Sequence, residues 1–119
     1  MAAETKRTVT FEESFALLDI RVGRVVEAEA CVLTPKPSYK MVIDFGKFGR
    51  RTSYGRFTAH PPDEVVGRLV LAVLNFPPRA MGDVVSEVLV LGVQYPGQDS
   101  GEATFDSPAA NAKIGSKLF

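Results

Sequence analysis

A chain of 119 residues with 45% apolar and 24% charged side chains is long enough to close one core and too apolar to be disordered throughout. Its 14 basic residues balance its 14 acidic ones, which excludes indiscriminate polyanion binding driven by bulk charge. The single cysteine, Cys31, excludes an internal disulfide, the polar start Met1–Arg7 has no signal-peptide core, and no apolar run reaches the roughly 20 residues that span a bilayer; the expected location is the cytoplasm, with no membrane insertion.

In chain order, residues 1–9 are expected to form a flexible arm and 10–119 one domain. Thr10-Phe-Glu-Glu13 has the capping-box pattern, and Phe11, Phe15 and Leu18 fall at i, i+4 and i+7, predicting a short helix over Phe11–Leu18 with one apolar face. The period then becomes strand-like from Asp19 to Glu29. Gly23 and the break in alternation at Val25-Val26 predict a bulge or bend in a long, curved strand. Thr34-Pro-Lys-Pro-Ser38 must be a loop, and strands are expected at Tyr39–Phe45, Arg51–Phe57, Arg68–Leu74 and Glu87–Val93. Pro61–Gly67 reads as a small helix opened by proline and closed by glycine. Gln94–Gly101 reads as a loop before a last short strand at Ala103–Phe105. The predicted class is therefore all-β dominated: a small barrel or sandwich of about five strands with two short helices.

Charge is segregated along the chain. Lys36, Lys40, Lys47, Arg50, Arg51 and Arg56 lie between positions 36 and 56 with Asp44 as the one acid, whereas Asp83, Glu87, Asp99, Glu102 and Asp106 occupy 80–112 without a lysine or arginine. Such segregation yields either a positive face or two solvated surfaces of opposite sign. In Arg50–Phe57, alternation puts Arg51, Ser53, Gly55 and Phe57 on one face and Thr52, Tyr54 and Arg56 on the other. Cations interleaved with aromatics hold single-stranded nucleic acids in this manner, but an ordinary strand with Phe57 in the core produces the same pattern.

Catalysis finds little footing. One histidine and one cysteine cannot assemble a zinc set of the usual kinds, and no phosphate-cradling glycine run is present. Ser53, His60 and Asp63 have the residue types of a nucleophilic triad, but nothing in their spacing brings them together; His60 is expected to face solvent in its loop and Cys31 to pack as a small apolar group. The expectation is a binding protein without catalytic residues, metal or cofactor.

Phe15-Ala-Leu-Leu-Asp-Ile-Arg-Val-Gly-Arg-Val-Val-Glu-Ala-Glu29 resembles the opening strand of the tRNA-binding-domain superfamily, which includes free-standing tRNA-binding proteins and appendages of methionyl-tRNA synthetases. Lys36-Pro-Ser-Tyr-Lys-Met-Val-Ile-Asp-Phe-Gly46, Asn75-Phe-Pro-Pro-Arg79 and Ser86-Glu-Val-Leu-Val-Leu-Gly92 narrow the resemblance to CsaA-type proteins, known as secretion chaperones. The resemblance implies a five-stranded Greek-key OB-fold barrel, a homodimer, and binding of unfolded or pre-secretory polypeptides, with tRNA as the alternative ligand. Where CsaA-type proteins usually read Lys-Ser-Ser-Ala-Gln-Ile-Thr, this chain reads Thr52-Ser-Tyr-Gly-Arg-Phe-Thr58, so a groove lined by this stretch would differ in shape and charge.

For a peptide groove the candidate residues are Tyr39, Ser53, Tyr54, Phe57, Phe76, Pro77, Pro78, Arg79 and Ser86; for RNA they are Lys36, Lys40, Arg50, Arg51, Arg56 and Arg79. Phe11, Phe15 and Leu18, with the C-terminal segment, are the candidate dimer interface.

Overall fold

The structure is a computed structural model and describes residues 2–97 and 101–119; Asp99 and the middle of the expected Gln94–Gly101 loop lie outside the described residues. Among the described residues nine strands form: β1 (Ile20–Cys31), β2 (Ser38–Asp44), β3 (Arg50–Gly55), β4 (Leu69–Val73), β5 (Arg79–Met81), β6 (Val84–Ser86), β7 (Leu89–Val90), β8 (Gly92–Gln94) and β9 (Ala103–Phe105), with one α-helix, α1 (Pro62–Val65), between β3 and β4. Five of them make an antiparallel sheet in the order β3-β2-β1-β4-β7. Pairing of β1 with β2 slips between Val25 and Glu27, at the expected bulge, and the sheet there curls into a nearly closed barrel.

Closure is carried by the segment entering β7. The Glu87 amide donates to the Thr52 carbonyl at 2.9 Å, and the Thr52 amide donates to Glu87 Oε1 at 2.8 Å. Next to them, the Tyr54 amide donates to Ser86 Oγ at 3.1 Å, and Ser53 Oγ donates to the Val88 carbonyl at 3.0 Å. Three of these four bonds use a side-chain atom, so side chains stand in for most of a regular ladder where β3 meets the last barrel strand.

The core follows the alternation of the strands: Val25, Met41, Ile43, Phe45, Val70, Ala72 and Val90 point inward, and α1 contributes Val65 to close one end. Phe57 and Phe105 stack with ring centroids 3.9 Å apart, joining the end of β3 to β9. Gly23 lies where a Cβ would stand 2.6 Å from both Ile43 Cγ2 and Phe45 Cε1, so the inner face of β1 must be bare there.

Two expectations are corrected. Phe11–Leu18 is not a continuous helix: a turn leads into a single 3-10 turn over Phe15–Leu17. The Glu13 amide donates to Thr10 Oγ1 at 3.1 Å, the first half of a capping box, but Phe11 and Leu17 stay exposed and no residue of the Phe15–Leu17 turn is fully buried. The expected strand Glu87–Val93 is broken into β7 and β8 at Leu91, whose amide bonds to Leu71 before β8 leaves to pair with β9. An additional hairpin, β5–β6, had not been expected; Gly82, at φ +64°, makes its turn.

The C-terminal segment returns to the start of β1. The Gly115 amide donates to the Val22 carbonyl, the Val22 amide to the Ser116 carbonyl and the Leu118 amide to the Ile20 carbonyl, at 2.8, 2.9 and 2.8 Å. No helix among the described residues is long and apolar enough to cross a membrane.

Candidate ligand-binding groove

The fold divides the predicted site residues into three groups. Tyr39, Ser53, Phe57 and Ser86 are buried, at 6, 1, 3 and 1% exposure; Tyr39 and Ser86 line neither of the hollows beside Tyr54, whereas Ser53 and Phe57 reach the floor of one of them. The Tyr39 hydroxyl donates to the His60 carbonyl at 2.7 Å; burial, and then the charge of Glu102, hold it above the ordinary tyrosine range, so it stays a neutral donor. Ser53 and Ser86 form the closure described above.

The second group gathers around Tyr54. This half-buried ring stands on the outer face of β3, opposite Lys40 of β2, and borders two hollows. One, of about 300 Å³, is lined by Cys31, Val32, Leu33, Lys40 and Val84 at the β1–β2 loop and the β5–β6 hairpin. The other, of about 260 Å³, is lined by Arg56, Arg79, Met81, Leu89 and Ala103. The hairpin stands against the loop because the Asp83 amide donates to the Leu33 carbonyl at 3.2 Å and Gly82 passes so close that a Cβ would lie 2.4 Å from that oxygen. Val32 and Leu33 are exposed around the first hollow, at 83 and 56%. These apolar residues were missed in the sequence; their signal is the pair Val32-Leu33, which ends the β1 segment with no polar partner in the alternation before the loop.

The third group lies elsewhere. Phe76, partly exposed, lines neither hollow, nor do Pro77 and Pro78. Asn75 before them is a clamp: its Oδ1 accepts from the Asp19 amide at 2.8 Å and its Nδ2 donates to the Leu17 carbonyl at 2.7 Å, fixing the N-terminal turn beside β1.

The basic stretch does not form one positive face. Arg56, on the outer side, pairs with Glu102 at 3.2 Å, and Glu102 also accepts from Thr58 Oγ1 at 2.7 Å. The acidic segment of the sequence is thus folded back onto the basic one, and Arg56 is spent on the fold. Lys40 stands 4.0 Å from Glu29, Lys36 is exposed in the β1–β2 loop, and Arg50 and Arg51 lie at the far end of β3. Arg51 caps that end, with its Nη1 donating to the Leu74 carbonyl at 3.4 Å. Of the predicted cations, Arg56 and Arg79 line the second hollow and Lys40 the first.

A triad does not form. Ser53 Oγ is committed to Val88, and His60 Nε2 lies 2.9 Å from Thr104 Oγ1 with Nδ1 3.6 Å from Glu64. His60 is also not the solvent-facing residue expected; its side chain is 15% exposed and its ring lies edge-on to Tyr95. Among the described residues no group of three histidine, cysteine, aspartate or glutamate side chains is placed to hold a metal ion.

The family described as "Putative tRNA binding domain" matches residues 20–117, from the first residue of β1 to the returning C-terminal segment. The chain belongs to this family. Within it the chain is of the CsaA type: a CsaA chaperone of Bacillus anthracis is 33% identical and superposes with a TM-score of 0.85 over 95% of this chain and 100% of the other. A CsaA chaperone protein of Picrophilus torridus is 32% identical, with a TM-score of 0.83 over 94 and 100%. Sequence relatives include the methionine–tRNA ligase of Methanoculleus marisnigri, 33% identical over 98% of this chain. That enzyme is far longer, and the family domain matched here spans 17% of it. The nearly closed five-stranded barrel is thus the OB-like fold expected from the sequence.

Proposed function

We propose that this protein is a non-catalytic, CsaA-like holder of unfolded or pre-secretory polypeptides, acting as a homodimer, with the groove on either side of Tyr54 as its peptide site. The observation that carries this reading is the exposed apolar rim of Val32 and Leu33 beside a half-buried aromatic, on a barrel whose neighbouring charges are largely paired with one another. Contiguous apolar surface on a small domain marks a partner site, and an extended chain can seat alternate side chains in the two hollows that flank Tyr54. Arg79 is exposed at the groove wall, without an ion pair among the described residues, and orients the bound backbone. The likeness to two CsaA chaperones along nearly the whole chain supports the same reading.

The test is binding of a fluorescently labelled, chemically denatured protein to the full chain. Affinity is expected to depend weakly on salt, and Tyr54→Ala is expected to weaken it by about tenfold or more, as truncation of an aromatic anchor commonly does. Arg56→Ala is expected to have the smaller effect, because Arg56 already pairs with Glu102. Unchanged affinity in Tyr54→Ala would remove the groove from consideration.

A further inference from the structure

The long first strand is paired along the whole of one side and only along part of the other. Over Ile20–Arg24, β1 pairs with β4. Past Arg24 only Val25 bonds on this side: its amide donates to the Arg68 carbonyl at 3.0 Å, and its carbonyl accepts from the Gly67 amide at 2.7 Å. The bulge follows, and Glu27–Cys31 pairs with β2 alone. Among the described residues nothing bonds the backbone of Ala28 or Ala30 from the β4 side. The direction of their amides and carbonyls follows from the ladder. Val25 turns its own to the β4 side, so its pair with Ile43 is of the non-bonded kind, and paired positions alternate. Glu27, opposite Val42, and Glu29, opposite Lys40, therefore bond to β2, whereas Ala28 and Ala30 direct their groups to the open edge. The β2–β3 turn gives the same phase: the Phe45 amide bonds to the Gly49 carbonyl, toward β3, which turns Val42 and Lys40 toward β1.

Side chains around this edge divide by face. Glu27 and Glu29 are exposed on the outer face, beside Val42 and Lys40, while Ala28 packs against the core. A hollow of about 370 Å³ borders the edge, lined by Glu27, Ala28, Glu29, Lys40, Val42 and the exposed Val66. It shares Glu29 and Lys40 with the first hollow beside Tyr54, so the open edge continues from the peptide groove. Glu27 makes no ion pair among the described residues, and Glu29 reaches Lys40 at 4.0 Å.

We infer that an unfolded polypeptide adds to the open edge at Ala28–Ala30 as a further β-strand, and that the edge favours segments with lysine or arginine at every second position. The backbone selects the class of occupant: alternating amide donors and carbonyl acceptors along an open strand are matched by another extended polypeptide. The glutamates select its sequence. An antiparallel newcomer bonds at Ala28 and Ala30, so its residues opposite Glu27 and Glu29 sit in non-bonded pairs, where side chains stand closest and opposite charges attract. The same charges disfavour a second copy of this chain. Two-fold pairing about Ala28 sets Glu27 of each copy against Glu29 of the other, and like charges directly opposite are destabilising. The edge thus resists self-pairing while it admits a cationic strand. Only the source of that strand, an unfolded protein, rests on the function proposed above.

The experiment measures fluorescence anisotropy of labelled peptides with the full chain. The probe alternates lysine and valine; its controls carry glutamate for lysine, or N-methyl groups on the valine amides only, or on the lysine amides only. Lysines opposite Glu27 and Glu29 place the valine amides toward the edge. Methylating the valine amides is therefore expected to weaken binding about tenfold or more, through lost bonds to the Ala28 and Ala30 carbonyls, and methylating the lysine amides to change little. The glutamate peptide is expected to bind about fivefold or more weakly at low salt, a gap that closes at high salt and in Glu27→Gln/Glu29→Gln. Both glutamates are exposed, so this variant is expected to fold, as circular dichroism will check. Equal losses in the two methylated peptides overturn the inference, as does a glutamate peptide that binds as tightly as the probe. Dissociation of a dimer of the unaltered protein by the probe, seen in sedimentation, would assign the edge to a second copy and overturns it too. If the peptides behave as expected while denatured protein does not bind, the proposed function falls and the strand site stands. If denatured protein binds and valine methylation has no effect, the strand site falls and the proposed function stands.

Discussion

A methyl group at position 55 would stand 2.6 Å from Cε2 of Phe57 and 2.8 Å from its Cδ2, closer than packed atoms approach. CsaA-type sequences usually carry alanine and isoleucine at these two positions, where this chain carries Gly55 and Phe57. The exchange moves volume from one side chain to the other: the phenyl ring reaches Phe105 to stack, and the glycine makes room for its edge. Gly55→Ala is therefore expected to destabilise the fold by about 1–3 kcal/mol through overpacking, and adding Phe57→Ile is expected to recover a large part of that loss. Urea unfolding of the two single variants and the double variant checks this; simple additivity would show that the pair is not matched. The same stretch shows why ligand residues were hard to read from sequence. Alternation assigned the faces of Ser53, Tyr54 and Phe57 correctly, but which face lies inside depends on the partner strands, and Arg56 finds Glu102 only after 46 residues of chain have folded back.

At the scale of elements, the long strand with its bulge, the order of the following strands and α1 were legible because each has a local signature: a broken alternation, a proline-rich loop, a proline followed later by glycine. The β5–β6 hairpin was not, although Gly82-Asp83 between short apolar pairs is a turn signal; with three residues in each arm, its strands are too short to show a period. Barrel closure was also invisible, because it depends on side chains of β3 and the Ser86–Val88 segment. Ser86 is the most exacting member: Oγ accepts from the Tyr54 amide at 3.1 Å and donates to the Val88 carbonyl at 3.1 Å. Ser86→Ala leaves that amide without its partner in a partly buried place, and is expected to cost about 1–3 kcal/mol. Hydrogen exchange is expected to localise the effect, with the Tyr54 amide accelerated well beyond those of β1 and β2. Equal acceleration throughout would mean that the closure opens only with global unfolding.

Taken as a whole molecule, the barrel satisfies its interior and leaves its N-terminal turn unfinished. A cleft of about 420 Å³ is lined by Phe11, Phe15, Leu17 and Leu18 from one side and by Leu118 and Phe119 from the other, with Phe11 63% and Leu17 65% exposed. A helix of one or two turns gains little from its own hydrogen bonds, so the sequence pattern that predicted an apolar face needs a surface to act on, and the cleft beside Leu118 and Phe119 still leaves Phe11 and Leu17 exposed. A second copy offers the same patch in reverse, and a two-fold contact would cover Phe11 and Leu17 with Leu118 and Phe119 of the other subunit. Asn75 and the bonds from Leu118 to Ile20 hold both halves of the patch in place before any partner arrives, which lowers the ordering cost of association. The protein is accordingly expected to sediment as a dimer at micromolar concentration. Leu17→Glu places a charge in the centre of the patch without disturbing the barrel, and is expected to give a folded monomer with unchanged circular dichroism. An unaltered protein that sediments as a monomer would show that the exposed turn serves another contact, and that the peptide groove operates one barrel at a time.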